Sequence, residues 1–345
     1  MAVVLKQRTF EPPALQKAAP VVTAATMMGG APVFADAIGD AAKELSKESY
    51  PFLKEIDWVS GLSLTNPGSG SAVDWAKAIG TAIDMGAAMD PKLLKAGVEA
   101  HHKAIGSVGS NLVTSAADYE ATNAAIGRMV ASVPESKTMD VYNSFSNLVS
   151  PDVPPYLMST VKEADAKKAY EAFLKFKDVV KANPITPAAA TSSVSGGRID
   201  EAAAKLSADS YEFIKDVDWT SNLFLKKPGY VTAKDALTAV DKALVMGAAM
   251  DPKALQEAAQ AHVEAIANMD SKGVLTLEDY TAINAGLGKA IAAVPTSKVM
   301  DVYNSFSKIT GAGVPNQLYS TVNPQDAIKA YNAFLNFKDV VKASR

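Results

Sequence analysis

Residues 85–92 read MGAAMDPK, and the same eight letters return at residues 246–253. The offset of 161 holds well beyond this motif: SYPFLKEIDW at 49–58 returns as SYEFIKDVDW at 210–219, and MDVYNSFS at 139–146 returns unchanged at 300–307. The register runs without a gap from Ile38 to Ala182, matched by Ile199 to Ala343. One unit written twice predicts two pseudosymmetric halves around one shared interior. The period is far longer than the repeats that build solenoids, so a many-repeat array is excluded. A chain of 345 residues also exceeds the size at which a single core stops growing. Domains are expected over 36–182 and 198–345. Between them NPITPAAATSSVSGG, residues 183–197, has the Pro, Ser, Thr and Gly content of a surface linker.

Within each unit the punctuation is helical. Asp90 before Pro91, and Asp251 before Pro252, suit an N-cap followed by proline at the first helical position, where its missing N–H costs nothing. Ser115 with Asp118, and Thr276 with Asp279, have capping-box spacing, with Asp as a shorter stand-in for Glu. Those helices are expected to stop near Pro134 and Pro295, and the next to begin beyond Ser136 and Ser297. Long segments close the units, with Tyr170, Phe173, Lys177 and Val180 along one side of the first and Tyr331, Phe334, Lys338 and Val341 repeating them. Strand-like alternation is sustained nowhere. The fold class is all-α, two pseudosymmetric helical domains from an internal duplication.

Composition narrows the function. Thirty-four basic against 37 acidic residues, with no dense Lys/Arg run, give no footprint for nucleic acid. No cysteine is present, which excludes disulfide scaffolds, thiolate nucleophiles and sulfur-based zinc sites. Aromatics make up 7% against an apolar fraction of 48%, so Ala, Val, Leu, Ile and Met must fill the interior. The first 35 residues differ from the rest: Lys6, Arg8 and Lys17 precede an uncharged run over 18–35, with Val33 and Ala35 where a processing peptidase reads small residues. Pro20, Gly29, Gly30 and Pro32 interrupt that run as a membrane span, so targeting is the better reading. No comparable uncharged stretch follows.

Only three histidines occur, and the duplication ranks them. His262 is the match of His101, whereas Val263 replaces His102. Neighbouring helical residues point about 100° apart, so His101 and His102 do not form a same-face pair. Leu94, Val98, His101 and Ile105 form one stripe, and Leu255, Ala259, His262 and Ile266 reproduce it. One histidine per unit is thus expected to face an apolar interior, with His102 at the periphery. Two readings stand: a core imidazole with both nitrogens satisfied, or a partner for a buried cofactor or metal, directly or through water. One imidazole is too few for protein-only zinc. A macrocycle that already fills most metal positions needs only one axial partner. Asn123 and Asn284, among small apolar residues, are either helix-packing amides or polar contacts to an oxygenated pigment. Asp57/Trp58 and Asp218/Trp219 read as an N-cap beside a core aromatic.

GAAMDPKLLKAGVEAHHKAIG, TSAADYEATNAAIGRMVASVP and KTMDVYNSFSNLVS closely resemble the peridinin-chlorophyll a-binding proteins, the soluble light-harvesting proteins of dinoflagellates. The resemblance runs from about Asp36 to Arg345, through both units. It implies a pigment-filled cavity, chlorophyll a surrounded by peridinin carotenoids in each domain, and a bound galactolipid. His101 and His262 then hold chlorophyll magnesium through a bridging water, and Asn123 and Asn284 lie near chlorophyll and peridinin. The implied activity is blue-green light capture and excitation transfer to photosynthetic membrane antenna or photosystem complexes, from the thylakoid lumen of the chloroplast. Self-association is compatible with it, and no bond in a substrate is made or broken. The first 35 residues become a lumen-targeting segment. LSLTNPGSGSAVDW, richer in Ser and Gly than its counterpart LFLKKPGYVTAKDA, points to a divergent, high-salt type. A hydrolase is disfavoured for want of a nucleophile beside either matched histidine. A non-photosynthetic carotenoid, porphyrin or lipid carrier is the alternative with a similar cavity.

Overall fold

The computed structural model describes residues 34–58, 72–109, 111–146, 158–194, 196–218, 233–270, 272–310 and 319–344. Among these there are twelve α-helices and no strand. The first half contributes α1 (Phe34–Glu55), α2 (Ala72–Ala88), α3 (Pro91–Gly106), α4 (Ala116–Ala131), α5 (Glu135–Ser146) and α6 (Glu163–Ala182). The second contributes α7 (Gly197–Asp216), α8 (Ala233–Gly247), α9 (Pro252–Asn268), α10 (Leu277–Ala292), α11 (Thr296–Thr310) and α12 (Pro324–Ala343). The sequence reading of residues 1–33, of Trp219 and of the divergent loops around 59–71 and 219–232 lies outside the described residues.

The caps explain the helix starts. Asp90 accepts from the N–H groups of Lys92 and Leu93 at 2.9 and 3.1 Å, and Asp251 from that of Ala254 at 2.9 Å. Ser115 accepts from the Asp118 N–H at 3.1 Å, and Thr276 from the Asp279 N–H at 3.0 Å. The capping box is not completed in the usual way: the Asp118 carboxylate is too short to reach the N-cap backbone and instead accepts from the Ser115 hydroxyl at 2.8 Å. α4 and α10 end at Ala131 and Ala292, and α5 and α11 start directly after Pro134 and Pro295, a residue or two ahead of the expected Ser136 and Ser297. Asp57 and Trp58 directly follow α1, and the Trp58 indole donates back to the Leu53 carbonyl at 2.9 Å.

In each half the first helix packs on the last and on the fourth, α1 on α6 and α4, α7 on α12 and α10. Ile38, Leu45, Phe176 and Val180 form one core, and Ile199, Val341 and Phe337 the equivalent one. Burying Ile38 fully contributes about 1.5–3 kcal/mol, and its match Ile199 contributes the same. Both cores press close to a helix axis: a Cβ on Gly127 would lie 2.6 Å from the Phe176 ring, and one on Gly288 2.7 Å from the Phe337 ring.

The halves interlock through their second and third helices. α2 packs on α9, and α8 on α3. Such reciprocal contacts between matched elements are the signature of a two-fold relation. The axis passes beside the repeated MGAAMDPK: a cavity of about 30 Å³ is walled by Gly86, Met89 and Leu94 and by their matches Gly247, Met250 and Leu255. The segment over 183–194 crosses between the halves and is tied to both. Asp90 accepts from the Ala188 N–H at 2.8 Å, and Asp251 accepts from the N–H and hydroxyl of Ser193 at 2.5 and 2.8 Å.

Candidate functional site

The second half contains a cavity of about 1040 Å³ between α7, α10, α11 and α12. Leu206, Phe213, Leu287, Met300, Tyr331 and Phe334 supply much of its wall. Lys338 and Val341 also line it, so the stripe expected along one side of α12 is a cavity wall. Tyr331 and Phe334 are 62% and 52% exposed, and their matches Tyr170 and Phe173 are 63% and 50% exposed. Large aromatics left open on the concave wall of the second half mark a surface meant to be covered by an apolar ligand.

Polar groups on that wall are few and fixed. Ser210 and Tyr280 share a hydrogen bond of 3.1 Å and both line the cavity. Asn284 donates its amide N–H to the buried Ser207 hydroxyl at 3.0 Å. In the first half Asn123 makes the same bond to Ser46, also at 3.0 Å. Each amide is thereby oriented by a helix neighbour, and Asn284 lines the cavity. The asparagine in each half ties two helices together.

The matched histidines stand elsewhere than the stripe alone suggests. They face the contact between the halves, because α3 and α9 are the helices that cross it. His262 places Nε2 3.3 Å from the Ala76 carbonyl on α2. His101 places Nδ1 3.5 Å from the Asp241 carboxylate on α8. That nitrogen is buried and makes no aligned hydrogen bond. His102 is exposed, as expected of a peripheral residue, yet it is not idle: its Nδ1 lies 3.0 and 3.2 Å from the two Asp241 oxygens. The lining of the large cavity includes Asn284 but not His262.

No group of three or more His, Asp or Glu side chains that could hold a metal occurs among the described residues. One imidazole per half is too few for a metal held by protein alone and suits only a metal whose remaining positions are filled by its own macrocycle. The apolar cavity with its fixed amide suits an elongated, oxygenated hydrocarbon. Imidazole and cavity are separate features of the described structure, each of a kind that a tetrapyrrole or a carotenoid can use, and His262 does not line the cavity.

A family model described as peridinin-chlorophyll A binding protein matches residues 36–180 and again 197–341. The chain belongs to the peridinin-chlorophyll a-binding protein family. A chloroplastic member from Symbiodinium sp. is 52% identical over 336 residues, covering 96% of this chain and 92% of that protein. Peridinin-chlorophyll a-binding protein 1 of Amphidinium carterae, also chloroplastic, is 51% identical over 351 residues, covering 100% and 95%. Among solved structures, the high-salt form of the peridinin-chlorophyll a protein superposes with a TM-score of 0.70 at 27% identity, over 90% of this chain and all of that one.

Sequence reasoning missed Asp241. The signal was present in the duplication: the match of Asp241 is Gly80, and this mismatch accompanies the one between His102 and Val263. Two departures from the repeat fall on residues that touch each other.

Proposed function

We infer that this chain is a light-harvesting antenna protein of the chloroplast that binds chlorophyll a and peridinin, and that it is not an enzyme. The observation that carries the reading is the family match over both halves, with relatives of about half-identical sequence covering nearly the full length. Peridinin and chlorophyll a supply the light absorption and the excitation transfer; the protein supplies spacing, orientation and electrostatics. Its own residues supply an apolar wall that includes Phe213, Tyr331 and Phe334, with Asn284 and Tyr280 among the polar groups on it. No described helix is long and apolar enough to cross a membrane.

Four finer assignments belong to this reading. His101 and His262 hold the chlorophyll magnesium of their halves through one bridging water each, and Asn123 and Asn284 address chlorophyll and a peridinin. The polypeptide is organised as a targeting segment over 1–35, pigment domains over 36–182 and 198–345, and a linker over 183–197. A galactolipid occupies part of the apolar interior. The mature protein works in the thylakoid lumen, where it delivers excitation to membrane antenna or photosystem complexes and self-associates.

The test is an absorption and fluorescence-excitation spectrum of the natively purified protein. Chlorophyll emission excited through the blue-green carotenoid band is the expected result. Bound carotenoid or tetrapyrrole without that transfer identifies the carrier alternative instead.

A further inference from the structure

The two matched histidines have different surroundings, and the difference is chemical. Asp241 is buried on α8 with its side chain only 3% exposed. A buried carboxylate accepts hydrogen bonds and cannot donate them, and it is costly unless donors surround it. His102 Nδ1 meets it at 3.0 Å; His101 Nδ1 faces it at 3.5 Å without an aligned hydrogen bond, and Lys242 Nζ lies at 3.9 Å. The His101 ring nitrogen that faces this charge is favoured as N–H, because a lone pair pointed at a carboxylate is repelled. Nε2 is then the lone-pair acceptor.

At the matched place in the other contact the carboxylate is missing. Gly80 stands where Asp241 would, and Val263 where His102 would. His262 instead turns Nε2 to the Ala76 carbonyl at 3.3 Å, an acceptor that requires the proton on Nε2. Gly80 makes this approach possible. A Cβ there would lie 2.6 Å from His262 Cδ2 and 3.0 Å from Ile266 Cδ1, so any side chain at position 80 displaces the ring. Different ring nitrogens of the two imidazoles thus face an oxygen, Nδ1 in His101 and Nε2 in His262.

We propose that Asp241 is a positioning residue for His101, holding its proton on Nδ1 and leaving Nε2 to accept from a magnesium-bound water, so that the two chlorophyll sites of this chain are non-equivalent. The inference rests on the reading of His101 and His262 as the magnesium partners. His102 serves it indirectly, by donating to the carboxylate and fixing its orientation. The Asp241–His102 pair in one contact and the Gly80–Val263 pair in the other are the two forms of one device, present and absent.

Three histidines make the experiment simple. In the full-length pigmented protein labelled with 15N-histidine, long-range 1H–15N correlation reads which ring nitrogen of each carries hydrogen. His101 is expected with N–H at Nδ1 and His262 without that preference. In Asp241→Asn, which keeps the side-chain volume and removes the charge, the minor His101 tautomer is expected to rise roughly five- to tenfold. Asp241→Gly, which copies the first-half arrangement, is expected to do the same. Low-temperature absorption adds a second readout: one of two chlorophyll bands shifts in either variant and the other stays. A His101 proton on Nε2 in the parent, or the same tautomer ratio in parent and variants, overturns the proposal. The underlying magnesium reading fails separately, if His101→Leu keeps its chlorophyll and spectrum while the Asp241 variants still move the His101 tautomer.

Discussion

At the scale of single residues, the matched histidines carry the sharpest prediction. His101→Leu or His262→Leu is expected to lower chlorophyll occupancy, or shift its spectrum, in the corresponding half, with helix content checked by circular dichroism. His102→Leu is expected to leave occupancy intact and disturb only the spectrum of the site proposed at His101, because the His102 ring meets Asp241. Equal occupancy and unchanged spectra in both matched variants would show that the imidazoles are packing residues only. A second residue-scale prediction concerns Leu112, which adopts a positive φ of 59° where its match Gly273 has a φ of 80°. That conformation costs a side-chain-bearing residue about 1–2 kcal/mol. Leu112→Gly gives back part of that cost by relieving the strain and loses part through a looser unfolded chain. A net gain of about 0.5 kcal/mol in denaturant unfolding is expected. A loss above 1 kcal/mol would mean that the partly buried Leu112 side chain contributes more by packing than its backbone costs.

Helix pairs show how the duplicated unit drifted without losing its shape. α3 and α4 meet at Gly97 and Met129, where a Cβ on Gly97 would fall 1.8 Å from the thioether sulfur. The matching positions on α9 and α10 are Ala258 and Ala290, and there the closeness is taken up by Gly286, whose added Cβ would lie 2.7 Å from the Ala258 Cα. A flexible methionine can swing aside and a backbone cannot. Gly97→Ala is therefore expected to cost about 1 kcal/mol and Gly286→Ala about 3 kcal/mol, as overpacking does when relief is or is not available. Chemical denaturation of the two variants side by side decides the ranking; the reverse order would mean that Met129 is the more rigid neighbour.

The caps that tie the 183–194 segment add a pH dependence. Burial pushes the Asp90 carboxyl up, but the N–H groups of Ala188, Leu93 and Lys92 outweigh it and hold the group below its ordinary 3.8. Asp251 is likewise raised by burial and lowered further by Ser193 and Ala254, with the same net direction. A folded value below the unfolded one means that stability is fully present above pH 3.8 and is lost as pH falls through the depressed value. Acid unfolding should therefore be shallower in Asp90→Asn and Asp251→Asn than in the parent. An unchanged acid limb would show that these carboxylates do not set it.

Much of this was written in the letters. Asp-Pro dipeptides fixed where α3 and α9 begin, and the proline pair ended α4 and α10, because these are local rules of capping and missing N–H groups. The 161-residue offset carried the division into two matched halves. What it did not carry was partnership: a repeat says that α2 matches α8, but not that each packs on the third helix of the other half. That exchange put His101 opposite Asp241 and His262 opposite Ala76, and no periodicity within one helix reveals it. The shared face of Tyr331 and Phe334, though not its role as a cavity wall, was legible for the opposite reason. Tyr331 and Phe334 lie on one helix face at regular spacing, so a single element was enough to find them.

For the whole molecule, the exchange predicts what each half does alone. A fragment of residues 34–182 leaves the outward faces of α2 and α3 without α9 and α8, and a second copy can supply both, since α3 is the match of α9 and α2 of α8. Gly80 would then face His101 of the other copy, an arrangement like the one it already makes with His262. The fragment of residues 196–344 has the same geometry but different chemistry. Its self-pairing would place each buried Asp241 opposite Val263 instead of His102, losing a charge-assisted bond twice, at about 1.5–3 kcal/mol each. Sedimentation equilibrium is therefore expected to find the first fragment dimeric and the second mostly monomeric at the same concentration. Val263→His in the second fragment restores the missing donor and should tighten its dimer at least tenfold. A first fragment that stays monomeric while folded, or a second that dimerises more tightly without the substitution, would show that the reciprocal helix contacts need the covalent chain rather than their own complementarity.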